Sequence, residues 1–128
     1  MNTSVTDHNI WPGLTYDDPL AARAWLARLG FEPGIVVEGD GDRRIRHSEM
    51  RWPDGGRVMV HSAAPDFPSV PGSGNTYVVV SDPDAVYAAA VALGARLVRE
   101  LKDEDYGSRG FSVVDPEGNV WSFGTYAG

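Results

Sequence analysis

Apolar and polar positions along this chain pass from period two to period three-to-four and back, twice, in the same order. Ile10 to Tyr16 sets Trp11, Gly13 and Thr15 against Pro12, Leu14 and Tyr16, the alternation of a short strand with a proline suited to an edge or a strand start. Asp17-Asp18-Pro19 then reads as a helix entry, with an Asp cap and a proline at the first turn. Leu20 to Leu29 places Ala21, Trp25 and Leu29 near one face with Ala24 beside them, and Gly30 is the stop. Three strands are predicted to follow, Phe31 to Glu38, Arg43 to Trp52 and Arg57 to Ala63, the last two joined by the turn Trp52-Pro53-Asp54-Gly55-Gly56.

Pro65 to Gly74 holds three prolines and two glycines and reads as a linker. The order then restarts. Asn75 to Ser81 is a strand, Asp82-Pro83-Asp84 a second helix entry, and Ala85 to Leu93 an alanine-rich helix with Val86, Ala89, Ala90 and Leu93 on one face, closed by Gly94. Ala95 to Leu101, Arg109 to Val114 and Asn119 to Tyr126 complete the strands, with a polar loop around Tyr106 and the turn Asp115-Pro116-Glu117-Gly118 between them. The pattern is β-α-β-β-β written twice, module one over about 10–64 and module two over about 75–126. The polar stretch Met1 to Asn9, with His8 in it, is expected to fray.

Length and composition narrow the function classes. A chain of 128 residues suits one domain, or two small modules of one domain. No apolar run approaches the ~20 residues that span a bilayer, and the N-terminus lacks a charged-then-apolar signal, so no membrane role is expected. Zero cysteines exclude disulfides and thiolate metal sites and fit the cytoplasm. A net charge of −7 argues against nucleic acid as a partner. That charge suits a cationic small molecule, and it equally serves solubility alone.

The stretches YDDPLAARAWLARLGFE, NTYVVVSDPDAVYAAAVALGA and YGSRGFSVVDPEGNVWSF, with the echo WPDGGRVMV, resemble the vicinal-oxygen-chelate superfamily of glyoxalases, bleomycin-resistance proteins and extradiol dioxygenases. The resemblance covers nearly the whole chain. It implies an α+β fold in which two βαβββ modules form a cup-shaped mixed sheet, with helices on the convex face, ligand in the concave cleft and a homodimer as the usual assembly. Period two then sorts each strand into a covered and an open side. Trp121 and Phe123 are expected under the helix, leaving Val120, Ser122, Gly124 and Tyr126 open. Val58 and Val60 are covered, leaving Arg57, Met59 and His61. Asn75, Tyr77 and Val79 are open, as are Trp11, Gly13 and Thr15. On the strand before the first turn, Ile45, His47, Glu49 and Arg51 share one side.

Metal-dependent members of that superfamily ligate through His or Gln in each module's first strand and Glu in its last. The positions this implies here are Trp11, Met59, Asn75 and Ser122, and none of them is a histidine or a carboxylate. A divalent ion wants imidazole and carboxylate donors converging on one point. The expectation is therefore no metal and no cofactor, and a protein that binds without catalysing. The alternative is a metal-dependent lyase, isomerase or dioxygenase with ligands displaced to His47, Glu49 and His61. Ser122 has no evident His and Asp partners, and Gly72-Ser73-Gly74 lacks the Lys of a phosphate loop.

Flat side chains dominate what remains. Trp11, Tyr77 and Tyr126, with Trp52, Phe67 and Tyr106 in loops or at a strand end, offer stacking surfaces for planar or cationic molecules. Glu49, Met59, His61, Asn75 and Ser122 add hydrogen-bonding and contact groups. The expected function is sequestration of a planar or cationic drug or natural product in an aromatic cleft, as in bleomycin-resistance proteins.

Overall fold

A computed structural model describes residues 9–128. The elements run β1 (Gly13–Tyr16), α1 (Pro19–Leu29), β2 (Glu32–Glu38), β3 (Ile45–Arg51), β4 (Arg57–Ser62), β5 (Asn75–Val79), α2 (Pro83–Leu93), β6 (Arg96–Asp103), β7 (Arg109–Val114) and β8 (Val120–Gly124). The chain divides into two compact units, Met1–Gly72 and Ser73–Gly128, with the division inside the Pro/Gly-rich stretch. The fold is α+β, and each unit is one β-α-β-β-β motif. The expected fraying of Met1–Asn9, including the placing of His8 in a mobile tail, falls almost wholly outside the described residues.

Each unit holds its own four-stranded mixed sheet, β1-β4-β3-β2 in the first and β5-β8-β7-β6 in the second. Parallel pairing is confined to the first and last strands of each motif, β1 with β4 and β5 with β8, and in each motif the helix carries the chain from the first strand to the opposite edge of the sheet, where the second strand lies. Both helices start alike, because Asp18 accepts from the Ala21 amide and Asp82 from the Ala85 amide, each at 3.1 Å, with a proline next in sequence. Gly30 and Gly94 close them at φ 123° and 75°, backbone that favours glycine.

The first core gathers Leu14, Tyr16, Leu26, Phe31, Met50 and Val60, all nearly inaccessible, between α1 and its sheet. Ala22, Trp25, Leu26 and Leu29 form the buried face of α1, whereas Ala21 and Ala24, expected there, are exposed. The difference is one residue of helical phase, set by Pro19 and Leu26 both turning inward. The second core holds Val113, Trp121, Phe111 and Phe123, the last two stacked at 5.3 Å with Tyr87 edge-on to Phe111. On α2, Val86 and Ala90 are buried and Ala89 and Leu93 half-buried. Ile45 departs from the alternation. A register irregularity between Val37 and Glu38 displaces it from His47's side into the core.

Candidate functional site

The open side of the first sheet is built around a carboxylate. Glu49 is only 8% exposed, and its two oxygens are both engaged: Oε2 with His47 Nε2 at 2.6 Å, Oε1 with an Arg57 guanidinium N–H. The His47 hydrogen bond, joined by Arg57, holds the Glu49 carboxyl below its ordinary range, with burial working the other way. Arg57 also lies over the Trp11 ring, 4.7 Å from its centroid. The register Glu49↔Met59 and Arg51↔Arg57 aligns β3 with β4, and Gly13↔Met59 and Thr15↔His61 align β1 with β4. Trp11, Glu49, Met59 and His61 are thereby brought onto one side of one sheet. Glu49 was expected among the groups that hydrogen-bond or contact a ligand. Its oxygens instead answer Arg57 and His47, which orders those two side chains.

The open side of the second sheet is built from hydroxyls and rings. Ser122 lies across from Tyr77 on β5 and from Ser112 on β7, and the two serine hydroxyls bond at 2.7 Å. Tyr77 donates its hydroxyl to the Tyr126 carbonyl at 2.7 Å, and Tyr126 takes the Tyr106 ring edge-on at 5.5 Å. Gly124 makes this possible, since a Cβ there would lie 2.9 Å from the Tyr77 hydroxyl and 3.2 Å from Ser108 Oγ. Tyr77, Tyr106, Ser108, Ser122 and Gly124, with the Arg99–Glu104 ion pair, line a pocket of about 180 Å3. Three predicted residues therefore meet in one pocket, with Tyr126 beside it.

Two predicted residues stand apart. Trp52 packs edge-on against Phe31 at 4.9 Å, and its ring lies 3.2 Å from where a Cβ of Gly30 would be, at the end of α1. It belongs with the helix-covered side of the first unit. Asn75 is exposed at the start of β5, opposite Val120, and does not line the pocket. Gly124 was expected on the open side, whereas Ser112, Ser108 and the Arg99–Glu104 pair were not foreseen from the sequence. Alternation along Arg109 to Val114 could have flagged Ser112. The ion pair bridges a strand and the loop that follows it, and no spacing announces that.

The four positions where the resemblance implies a divalent ion do not fit one. Met59 offers a thioether, Ser122 a hydroxyl already paired with Ser112, and neither Trp11 nor Asn75 supplies an anionic donor. His47, Glu49 and His61 do share a side of the first sheet. Among the described residues, however, no three of His, Cys, Asp and Glu converge to hold an ion. Among the described residues, the Ser122 hydroxyl is bonded to Ser112 and to no imidazole that would activate it.

Comparison with known proteins agrees with the fold. The family model for the glyoxalase/bleomycin resistance protein/dioxygenase superfamily matches residues 9–123. An uncharacterized protein of Mycobacterium bovis is 31% identical over 124 residues, covering 88% of this chain and 80% of its own length. TioX from Micromonospora sp. ML1 is 32% identical, with a TM-score of 0.77 over 94% of this chain and 99% of that one. A bleomycin-binding protein solved in complex with bleomycin is similar at TM-score 0.66 and 17% identity, over 94% of this chain and 99% of its own, a likeness of fold. Among the described residues, no helix is long and apolar enough to cross a membrane.

Proposed function

The chain belongs to the glyoxalase/bleomycin resistance protein/dioxygenase superfamily, and from that premise we propose that it binds a planar small molecule and leaves it chemically unchanged. The observation that carries the reading is the pocket of the second unit. Tyrosine rings flank it, its floor is a serine hydroxyl pair, and its lining carboxylate, Glu104, is ion-paired with Arg99. Apolar walls with a few fixed polar groups suit a bound ligand. A pocket of about 180 Å3 admits one ring system, since ~150 Å3 already takes a benzene.

On this reading Tyr77 and Tyr106 stack against the ligand's ring, and the Ser112–Ser122 pair meets its polar edge. Binding proceeds without a metal at the positions where metal-dependent relatives chelate one. The protein acts as a cytoplasmic homodimer, and sequestration of a toxic natural product gives resistance to it. The bleomycin complex of a protein with this fold supports a small-molecule ligand.

Thermal shift against planar natural products, bleomycin among them, tests the proposal. A ligand at ~100 times its dissociation constant adds ~2.7 kcal/mol of stability. The expected result is a shift for at least one planar compound that Tyr77→Ala abolishes. Turnover of that compound, or a shift unaffected by Tyr77→Ala and Ser122→Val, would overturn it.

A further inference from the structure

Of the residues lining the second unit's pocket, two are charged, Arg99 and Glu104, and they pair with each other. Glu104 follows β6 directly and is held by the turn after it. Its amide donates to the Ser108 carbonyl at 2.7 Å, and its carbonyl accepts from the Gly107 amide at 3.2 Å. Lys102 Nζ lies 3.9 Å from the other oxygen of the same carboxylate. One carboxylate thus answers two cations, and this corner of a chain of net charge −7 carries an excess of positive charge. The partners also differ in access. The Glu104 side chain is 14% exposed and that of Arg99 45%, so the guanidinium is the group that an incoming molecule meets first. Among the described residues Arg99 bonds only Glu104, and through Nη2. A guanidinium carries five N–H donors in a planar fork, so donors remain for a second carboxylate.

Strand register puts those donors in line with the rest of the pocket. Arg99 stands across from Ser112, Ser112 across from Ser122, and Ser122 across from Tyr77, one row over β6, β7, β8 and β5. Residues directly opposite share a face at roughly 5 Å, so the row presents a cation, two hydroxyls and an aromatic ring in that order. A flat molecule on the Tyr77 ring has its polar edge over the serines and a substituent directed at the guanidinium. A cationic substituent there would have to take Glu104 from both Arg99 and Lys102. We propose, building on the binding role given to this pocket above, that its ligand is an aromatic carboxylate, with the ring at Tyr77 and Tyr106 and the carboxylate on Arg99. Glu104 holds the guanidinium beside the serine pair, and Lys102 offsets the charge of Glu104. Arg99 is then the residue that sets the sign of the ligand's charge.

Full-length protein is titrated calorimetrically with three probes that share one ring system, 2-naphthoate, 2-naphthamide and 2-naphthylmethylammonium. The naphthoate is expected to bind at least about tenfold tighter than either of the others, the share of one hydrogen bond between charged groups, and to lose part of that lead as salt is raised. Arg99→Gln should bring the naphthoate to the affinity of the amide and leave the amide unchanged, whereas Tyr77→Ala should weaken all three alike. An amide or ammonium that binds wild type as tightly as the naphthoate overturns the assignment of charge and leaves the binding role of the pocket standing, whether or not any variant folds. So does a lead that survives Arg99→Gln. Failure of all three probes to bind overturns the aromatic carboxylate and the binding role together.

Discussion

Asp115 is the residue whose replacement should do most harm for the fewest atoms removed. It is 4% exposed, and its carboxylate accepts from the amides of Glu117 and Asn119 at 3.0 Å, from Asn119 Nδ2 at 3.0 Å and from Trp121 Nε1 at 3.1 Å. Asn119 in turn accepts from the Gly74 amide at 2.7 Å, so the turn before β8 also fixes the entry to β5. Asp115→Ala strands the Asn119 and Trp121 donors in the interior. At roughly 1.5–3 kcal/mol for each enclosed donor bonded to a charged group, the loss comes to about 3–6 kcal/mol. That is a large share of the ~5–15 kcal/mol of a typical domain and a fall in Tm of about 10–20 °C. Asp115→Asn keeps the shape but turns an amide NH2 toward groups that themselves donate, and its loss should be nearly as large. Urea unfolding followed by tryptophan fluorescence and circular dichroism gives both values. Trp121→Phe removes one donor, keeps a ring in place, and should partly relieve Asp115→Asn in the double variant. An Asp115→Asn protein within ~0.5 kcal/mol of wild type, or no coupling in that cycle, refutes the carboxylate as the centre of the turn.

Gly124→Ala adds a methyl 2.9 Å from the Tyr77 hydroxyl, so it should break the Tyr77–Tyr126 bond and abolish ligand-induced thermal shifts, at an overpacking cost of about 1–2 kcal/mol. Unchanged shifts in that variant would remove Tyr77 from the binding surface. Asp82→Ala deletes the cap on Ala85 and should cost about 1 kcal/mol in urea unfolding, and Asp82→Asn should restore most of it. Asp84 is held below its ordinary value of 3.8 by hydrogen bonds from Arg109, with exposure keeping the effect small. A depressed carboxylate stabilises the fold above its unfolded value and loses that contribution as pH falls through the folded one. Asp84→Asn should therefore narrow its stability gap to wild type between about pH 5 and pH 2, and a gap independent of pH would exclude the ion pair as its origin.

The duplication was legible because its signals are local and repeated. Two Asp-Pro helix entries, two glycine stops and two Pro-Asp/Glu-Gly turns each act within a few residues of sequence, and the structure uses every one of them. The open and covered sides were legible along β4, as Val58 and Val60 against Met59 and His61 show, whereas on β1 Thr15, expected open, is buried. Alternation failed at Ile45, where a bulge changes the phase, and bulges leave no mark on the pattern. Partners were harder still. Nothing in the spacing says that Glu49 faces Arg57, because that contact depends on β3–β4 register.

Aligning the units on their helix caps shows what the repeat leaves free to vary. Gly13 then corresponds to Tyr77, and their register partners Met59 and Ser122 correspond in turn. In the first unit the parallel pair is small on β1 and large on β4; in the second it is large on β5 and small on β8, where Gly124 sits under the Tyr77 ring. Both sheets keep the same strand order and parallel pairing while their open sides diverge. One side exposes imidazoles and a thioether above a glycine gap, the other a tyrosine over serines. Exchanging the two pairs tests whether that trade sets the chemistry. Gly13→Tyr with Met59→Ser should fold when His61, which stands where the second unit has Gly124 beside the Tyr77 ring, is also changed to Gly. It should move ring-stacking capacity to the first sheet and remove its thioether. A triple variant that unfolds would show that the two sheets differ in more than the side chains on their open sides.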